Sequence, residues 1–175
     1  MIVLAFLAMP FSTYAQAGKA NFSGSWVFNA EKSNMGQPPQ GQGQPPQGQG
    51  QGQRPQGGMR GGFGGGDFTA AQEANLLTVT RTRTGQDGQT TTTTEKYTLD
   101  GKESVNTNTR GGESKSTATW SGDGKSLTIK TTRSFNGNDM TTTAVWTLDG
   151  AALVVTSTMN TPNGERTTKA VYDKK

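Results

Sequence analysis

The chain has 175 residues and a formal net charge of +4, from 17 basic and 13 acidic side chains. Only 29% of the residues are apolar, which favours thin β walls over packed helices. Cysteine and histidine are both absent. Their absence excludes disulfides, thiol and Ser-His-Asp nucleophiles, and the usual zinc, copper and haem ligands. We therefore predict a non-enzymatic protein that needs no cofactor.

The first 17 residues have the pattern of a secretory signal peptide. An apolar run from Ile2 to Phe11 precedes Ala15-Gln16-Ala17, the small-x-small pattern that signal peptidase cleaves. The run is shorter than the ~20 apolar residues of a membrane-spanning helix. A buried first strand or helix is the alternative, because no basic residue precedes Lys19. The sequence predicts an exported protein, periplasmic or extracellular, with no transmembrane segment once residues 1–17 are removed.

A short strand is predicted next, followed by a long low-complexity segment. The stretch FSGSWVFNAEKS predicts a first strand over about residues 22–29, with Trp26 and Phe28 facing inward. Residues 36–67 are mostly Gly, Gln and Pro, and they cannot bury enough apolar surface to offset their ordering entropy. We predict a disordered loop there, inserted between the first strand and the rest of the domain.

No nucleic-acid partner is predicted for this loop or for the rest of the chain. Arg60-Gly-Gly-Phe63 resembles a single RNA-stacking RGG box, with Arg54 as its only basic neighbour. Basic side chains at that density are too sparse for RNA binding. Beyond Asp67 acidic and basic residues nearly balance, so electrostatics require neither a nucleic acid nor a membrane surface.

From Leu76 onward, β-branched runs alternate with turn dipeptides whose residues tolerate the positive φ of tight hairpins. The seven dipeptides are Asp87-Gly88, Asp100-Gly101, Gly111-Gly112, Asp123-Gly124, Asn136-Gly137, Asp149-Gly150 and Asn163-Gly164. They predict eight strands in a meander over residues 76–173, with residues 68–75 as a short helical or irregular lead. Closure into a barrel removes exposed sheet edges. We predict one all-β domain over residues 18–175, a single antiparallel up-and-down β-barrel of about eight to nine strands.

The opening strand carries a resemblance to a known family. The residues of its motif, F-S-G-x-W-x-x-N-x-x-K-S, are Phe22, Ser23, Gly24, Trp26, Asn29, Lys32 and Ser33. Followed by the hairpins, this motif resembles calycin barrels, and most of all small exported bacterial lipocalin-like proteins of unknown function. The resemblance implies a lipocalin-like barrel with Gly24 and Trp26 as a structural plug at one end. The carboxylate trap of fatty-acid-binding proteins is not carried over, because its two arginine positions fall on Ala170 and near Val145.

Charged residues give two further site hypotheses. Three arginines share the alternation phase of apolar neighbours, and pointing inward they would hold an anion: Arg81, Arg83 and Arg133. We favour the alternative that they lie at barrel rims or beyond a β-bulge, because an unpaired inward arginine carries a large desolvation cost. The acidic residues outside turns could supply a carboxylate pair for glycosidic chemistry, but nothing in the sequence pairs them, and we predict that they are solvated surface charges. They are Glu95, Glu103, Glu113 and Glu165.

Taken together, the sequence predicts a non-enzymatic, exported, monomeric, lipocalin-like barrel that binds a small apolar or amphipathic molecule in its interior. The candidate ligand contacts are Arg81, Arg83, Trp120, Leu127, Ile129, Arg133, Trp146 and Leu153. Trp120 and Trp146 fit a cavity lining and a packed core equally well. The alternative function is a filled barrel that acts as a structural or protein-interaction module of the cell envelope.

Overall fold

The computed structural model describes residues 18–35, 65–85, 88–107, 112–135, 138–161 and 164–175. The predicted signal peptide and residues 36–64 of the predicted loop lie outside the described residues. Ten β-strands are present in the described part: β1 (Gly24–Asn34), β2 (Phe68–Glu73), β3 (Leu76–Thr84), β4 (Thr90–Thr98), β5 (Glu103–Thr107), β6 (Glu113–Trp120), β7 (Ser126–Phe135), β8 (Asn138–Asp149), β9 (Ala152–Thr161) and β10 (Gly164–Lys174).

All ten strands belong to one antiparallel sheet with the order β4-β3-β2-β1-β10-β9-β8-β7-β6-β5. Strands that follow one another in the chain pair with each other, except β4 and β5. The first strand also pairs with the last, so that Phe28 lies opposite Tyr172. This pairing rolls the sheet up and brings its two edge strands, β4 and β5, side by side. The prediction of an all-β, antiparallel up-and-down barrel is confirmed, and the barrel is nearly closed.

The predicted number of strands was too low. The structure has ten strands, because residues 68–73 form β2 where a helical or irregular lead was predicted. Phe68 and Ala70 are buried while Thr69 and Ala71 are exposed, which is the alternation of a half-buried strand. The stretch FTAAQEAN contains several helix-forming residues, and β2 is only six residues long, so the alternation was not apparent from the sequence. Pairing with β1 and β3 on either side overrides the local preference.

Strand β1 is longer than predicted and carries a β-bulge. It reaches Asn34 rather than ending near residue 29, and the six residues from Asn29 to Asn34 lie opposite only three residues of β10, Lys169 to Val171. Side chains on both strands close this irregular region. Asn29 Nδ2 donates to Asp173 Oδ2 at 2.6 Å, Lys32 Nζ lies 3.1 Å from Asp173 Oδ1, and the Val171 amide donates to Ser33 Oγ at 2.8 Å. The Asn, Lys and Ser of the opening motif therefore fasten β1 to β10.

The Asp-Gly turns predicted from the sequence are present wherever the structure describes them in full. Gly101 and Gly124 have φ values of 79° and 69°, in the region that favours glycine. A Cβ on Gly124 would also lie 2.5 Å from the Gly18 carbonyl oxygen. At the turn between β4 and β5 the Asp100 carboxylate accepts hydrogen bonds from Lys102, which lower the pKa of Asp100 to about 2. The turns at Gly124 and Gly150 fix the registers of the β6–β7 and β8–β9 hairpins locally.

The barrel has two different ends. We call the end with the β2–β3, β4–β5, β6–β7 and β8–β9 turns the base, and the opposite end, where β1 leaves and β2 enters, the mouth. The apolar core fills the base half. Its buried members are Phe22, Trp26, Phe68, Ala70, Leu77, Val79, Tyr97, Leu99, Ala118, Leu127, Ile129, Ala144, Trp146, Leu153, Val155, Ala170 and Tyr172.

Candidate functional site

A short segment before β1 closes the base of the barrel. Phe22 is fully buried, stacks on Trp120 with ring centroids 5.7 Å apart, and meets Trp146 edge-on at 5.7 Å. Its carbonyl accepts the Trp26 indole N–H at 2.9 Å. Gln72 holds the segment from both sides, since its Oε1 accepts the Phe22 amide and its Nε2 donates to the Ala20 carbonyl. The base is therefore a packed aromatic plug.

Gly24 and Trp26, for which the resemblance implies the role of a plug, begin β1 directly after this segment. Trp26 is 2% exposed, and the Lys174 ammonium lies 5.6 Å from its ring centroid. Gly24 has a φ of 147°, and a Cβ at that position would lie 2.9 Å from Lys174 Cε. A glycine here lets the lysine side chain cross the start of β1 and reach the indole. Their role as a plug remains a prediction from the resemblance that this geometry fits.

The predicted apolar ligand contacts belong to the core. Leu127, Ile129, Trp146 and Leu153 are each 0% exposed and pack among the buried residues of the base half. Trp120 is half-buried against the same cluster. In this structure their surfaces are occupied by other side chains, as in a filled barrel core. Contact between these five residues and a ligand stays a prediction.

Toward the mouth, the inner wall changes from apolar to polar. Ser114, Ser116, Thr131 and Ser157 are buried on the inner faces of β6, β7 and β9. Ser116 Oγ and Thr131 Oγ1 form a hydrogen bond of 2.9 Å. Ser157 Oγ has no hydrogen-bond partner within the described part of the chain. A buried hydroxyl with unmet hydrogen bonding is uncommon in folded proteins.

Above this polar layer, Arg133 and Glu95 form an ion pair inside the barrel. Arg133 Nη2 lies 3.1 Å from Glu95 Oε1, and the two side chains are 37% and 16% exposed. Strand β7 keeps its regular pairing with β8 through this region, so no bulge turns Arg133 outward. Glu95 shares the inner face of β4 with Tyr97. The prediction that Glu95 is a solvated surface charge was wrong, because Glu95 lies on the same face of β4 as the buried Tyr97 and therefore points inward.

Tyr97 and Arg81 extend this charged cluster. Burial, and then the Glu95 carboxylate, raise the pKa of Tyr97 well above its ordinary value, while Arg81 and Arg133 oppose the increase. Arg81 is half-buried on β3 with its guanidinium carbon 4.7 Å from the Phe68 ring centroid. Arg83, two residues nearer the mouth, is exposed at the rim. Two of the three predicted arginines therefore face the interior, and one lies at the rim.

The opposite wall of the mouth is less polar. Phe28 packs edge-on against Tyr172 with centroids 5.6 Å apart, and Met35 and Met159 are half-buried nearby in the strand order. Arg166, on the inner phase of β10, donates from Nη2 to the Met35 carbonyl at 2.8 Å. The sequence analysis missed Arg166, although its even spacing from Ala170 and Tyr172 was the available signal. Ala170 is buried, and Val145 faces outward, so neither position supplies a charge.

Two other features of the described residues bear on binding. A shallow depression of about 230 Å³ lies where β1 and β2 separate, and its lining includes the apolar side chains of Trp26, Val27 and Phe68 as well as polar residues. Asp67 in its wall already accepts the Phe28 amide at 3.0 Å. Within the described ranges there is no cluster of three or more acidic side chains arranged to hold a metal ion. Nor does that part of the chain contain a helix long and apolar enough to cross a membrane.

The chain was compared with known families, curated proteins and solved structures. No protein-family model and no curated protein matches the sequence. Among solved structures, the chain is similar to the zebrafish ileal bile acid-binding protein, crystallised in complex with cholic acid. The two are 22% identical, the match covers 62% of this chain and 72% of the zebrafish chain, and the TM-score is 0.44.

Proposed function

We propose that this protein is a non-enzymatic, exported, monomeric barrel that binds a small amphipathic anion at its mouth half. The observation that carries the proposal is the division of the inner surface into a filled apolar base and a charged mouth half. Three arginines face the interior there, Arg81, Arg133 and Arg166, against one inward carboxylate, Glu95, in the described part of the chain. The excess of positive charge in a partly enclosed site favours an anionic group.

The position of the Arg133–Glu95 ion pair inside the barrel supports a role in binding rather than in stability. Placing Arg133 and Glu95 inside the barrel removes both charges from water, and a buried ion pair rarely repays that cost better than apolar residues do. Guanidinium groups bind carboxylates, sulfonates and phosphates through paired N–H donors. A bound anion can therefore accept hydrogen bonds from Arg133, which also contacts Glu95, and from Arg81.

The apolar part of such a ligand fits the facing wall. Phe28, Met35 and Met159 are half-buried on the β1, β9 and β10 side of the mouth. Methionine side chains adapt to irregular apolar shapes, and an aromatic ring offers a flat apolar surface. A molecule with an anionic group at one end and an apolar body at the other would bury its body here.

The test is a fluorescence titration of the protein with 8-anilino-1-naphthalenesulfonate, an anionic amphiphile. We expect saturable binding that Arg81→Gln weakens at least tenfold, and Arg83→Gln, at the exposed rim, leaves unchanged. Arg81→Gln should weaken the binding of the uncharged N-phenyl-1-naphthylamine less than threefold, because this dye has no anionic group to bind the guanidinium. Equal affinity of the wild type and Arg81→Gln for the sulfonate would overturn the proposal.

Arg133 requires a paired design, because removing it alone leaves Glu95 inside the barrel without its cation. We expect Arg133→Met to lower the free energy of unfolding by about 2 kcal/mol, less than the full effect of breaking a buried pair because Arg133 is partly exposed. The double variant Glu95→Gln/Arg133→Met should regain most of that loss and still bind the sulfonate more weakly. Urea unfolding of both variants measures the first effect, and titration of the double variant measures the second.

A second candidate function rests on a different observation. Because the apolar residues predicted to line a cavity are fully buried, the base half is a packed core. A packed core is consistent with a filled barrel that acts as a structural or protein-interaction module of the cell envelope. Absence of saturable binding of both dyes to the wild type would favour this second function.

A further inference from the structure

The wall of the barrel has one seam that backbone hydrogen bonds do not close. The sheet begins at β4 and ends at β5, and no ladder joins these two strands in the described residues. Every other pair of neighbouring strands is held by a ladder, such as the ten paired positions between β9 and β10. The seam between β4 and β5 is therefore the part of the wall whose opening breaks the fewest hydrogen bonds.

Side chains of β5 take the place of the missing ladder. Asn106 Oδ1 accepts the Lys96 amide at 2.7 Å, and Asn106 Nδ2 donates to the Lys96 carbonyl at 2.9 Å. Its carboxamide thus acts as the peptide group that the neighbouring strand would otherwise supply. Below it, Ser104 Oγ accepts the Thr98 amide at 2.9 Å. A change of the Asn106 rotamer would release the Lys96 peptide group of β4 without disturbing any ladder.

The seam opens directly onto the charged cluster. Glu95 lies next to Lys96 on β4 but faces inward, and its ion pair with Arg133 of β7 spans the inner side of β5 and β6. Ser114 Oγ, which is buried, donates to the Asn106 carbonyl at 3.3 Å and extends the polar lining behind the seam. A charged group that passes here meets polar groups throughout, whereas the base is closed by the aromatic rings around Phe22.

We propose that the anionic amphiphile enters and leaves through the seam between β4 and β5, and that Asn106 is the latch that controls its passage. This inference rests on the proposed function, since it assigns the route to that same site. The latch should affect rates rather than affinity, because Asn106 holds the wall and leaves the arginines in place. Opening the seam more often speeds entry and exit alike.

The experiment is stopped-flow mixing of the protein with 8-anilino-1-naphthalenesulfonate. Asn106→Ala should raise the association and dissociation rates at least fivefold while changing the dissociation constant less than twofold. Thr158→Ala, which removes a hydrogen bond to Thr167 on the outer face of β9 and β10, should leave both rates unchanged. Wild-type rates in a folded Asn106→Ala variant would overturn the proposal.

A disulfide across the seam tests the effect of holding it closed. This test does not depend on the stability of Asn106→Ala. The Thr98 and Ser104 hydroxyls lie 3.2 Å apart across the seam, and the chain has no cysteine of its own. Oxidised Thr98→Cys/Ser104→Cys should slow uptake at least fivefold, with recovery on reduction. A control pair on the laddered outer face, Thr132→Cys/Thr141→Cys, has hydroxyls 3.1 Å apart and should have no effect.

The outcomes separate this inference from the function on which it rests. Unchanged uptake by the oxidised seam variant, together with normal binding by the wild type, would overturn the route alone. Absence of dye binding to the wild type would overturn both the function and the route.

Discussion

At the scale of single residues, the mouth is defined mainly by side chains whose contacts form only when the sheet rolls up into a barrel. Glu95 and Arg133 lie on strands that are not neighbours, and their contact exists only because the sheet rolls up. The alternation of β7 places Arg133 on the face of Leu127 and Ile129, whereas the favoured prediction, a position at the rim or beyond a bulge, was wrong for this residue. Its partner could not be predicted, because the sequence shows which strand face a residue occupies but not which residue it meets across the interior.

Tyr97 gives a prediction for alkaline pH. An unfolded tyrosine ionises near pH 10, whereas burial holds the pKa of folded Tyr97 well above that value. Above pH 10 the unfolded state releases a proton that the folded state keeps, so the free energy of unfolding falls as pH rises. This stabilisation is fully present below pH 10 and is lost as pH rises through the folded pKa.

We expect Tyr97→Phe to flatten the fall of the free energy of unfolding between about pH 10 and pH 12, measured by urea unfolding at each pH. Tyr172→Phe is the matched control, because the pKa of Tyr172 is also raised by burial but less strongly. Its curve should lie between those of the wild type and Tyr97→Phe. Parallel curves for the wild type and Tyr97→Phe would contradict the assignment.

At the scale of elements, the strands were predictable where a short turn joins two consecutive strands. Asp123-Gly124 and Asp149-Gly150 set hairpins within a few residues, and all eight predicted strands from Leu76 onward are present. Strand β2 was missed because its partners, β1 and β3, decide its conformation. The bulge of β1 was also missed, since it depends on β10 at the far end of the chain.

The side-chain clamp between β1 and β10 gives the prediction at this scale. Ser33→Ala removes the acceptor of the Val171 amide and should lower the free energy of unfolding by about 1 kcal/mol, the net contribution of one hydrogen bond. Thr69→Ala, on the exposed outer face of β2, should change it by less than about 0.5 kcal/mol. Urea unfolding followed by circular dichroism measures both; equal losses would show that Ser33 contributes nothing specific.

At the scale of the whole molecule, the sequence predicted the closed architecture better than the distribution of its core. Turn spacing and the opening motif predicted an up-and-down barrel, and the structure has one. The division into a packed base and a charged mouth was not predicted. It depends on Phe22, a residue outside every strand, which turns under the barrel and meets Trp120 and Trp146.

Phe22 is therefore expected to stabilise the molecule more than its position outside the sheet would suggest. Because its side chain is fully buried, Phe22→Ala should lower the free energy of unfolding by about 3 kcal/mol or more. Phe28→Ala, half-buried at the mouth, should cost clearly less. Chemical unfolding of the two variants provides the comparison, and an equal or smaller loss for Phe22→Ala would contradict the aromatic plug.

The pairing of β1 with β10 also determines when the molecule can fold. Asn29 and Asp173, which join these strands, are separated by 144 positions in the chain. Contacts between residues so distant carry a high loop-closure cost, and they give the protein a high contact order and slow folding. During synthesis β1 is made long before β10, so the edge of β1 that pairs with β10 remains unpaired until β10 has left the ribosome. A nascent chain that lacks β10 therefore stays open, and the barrel is completed only once that strand is available.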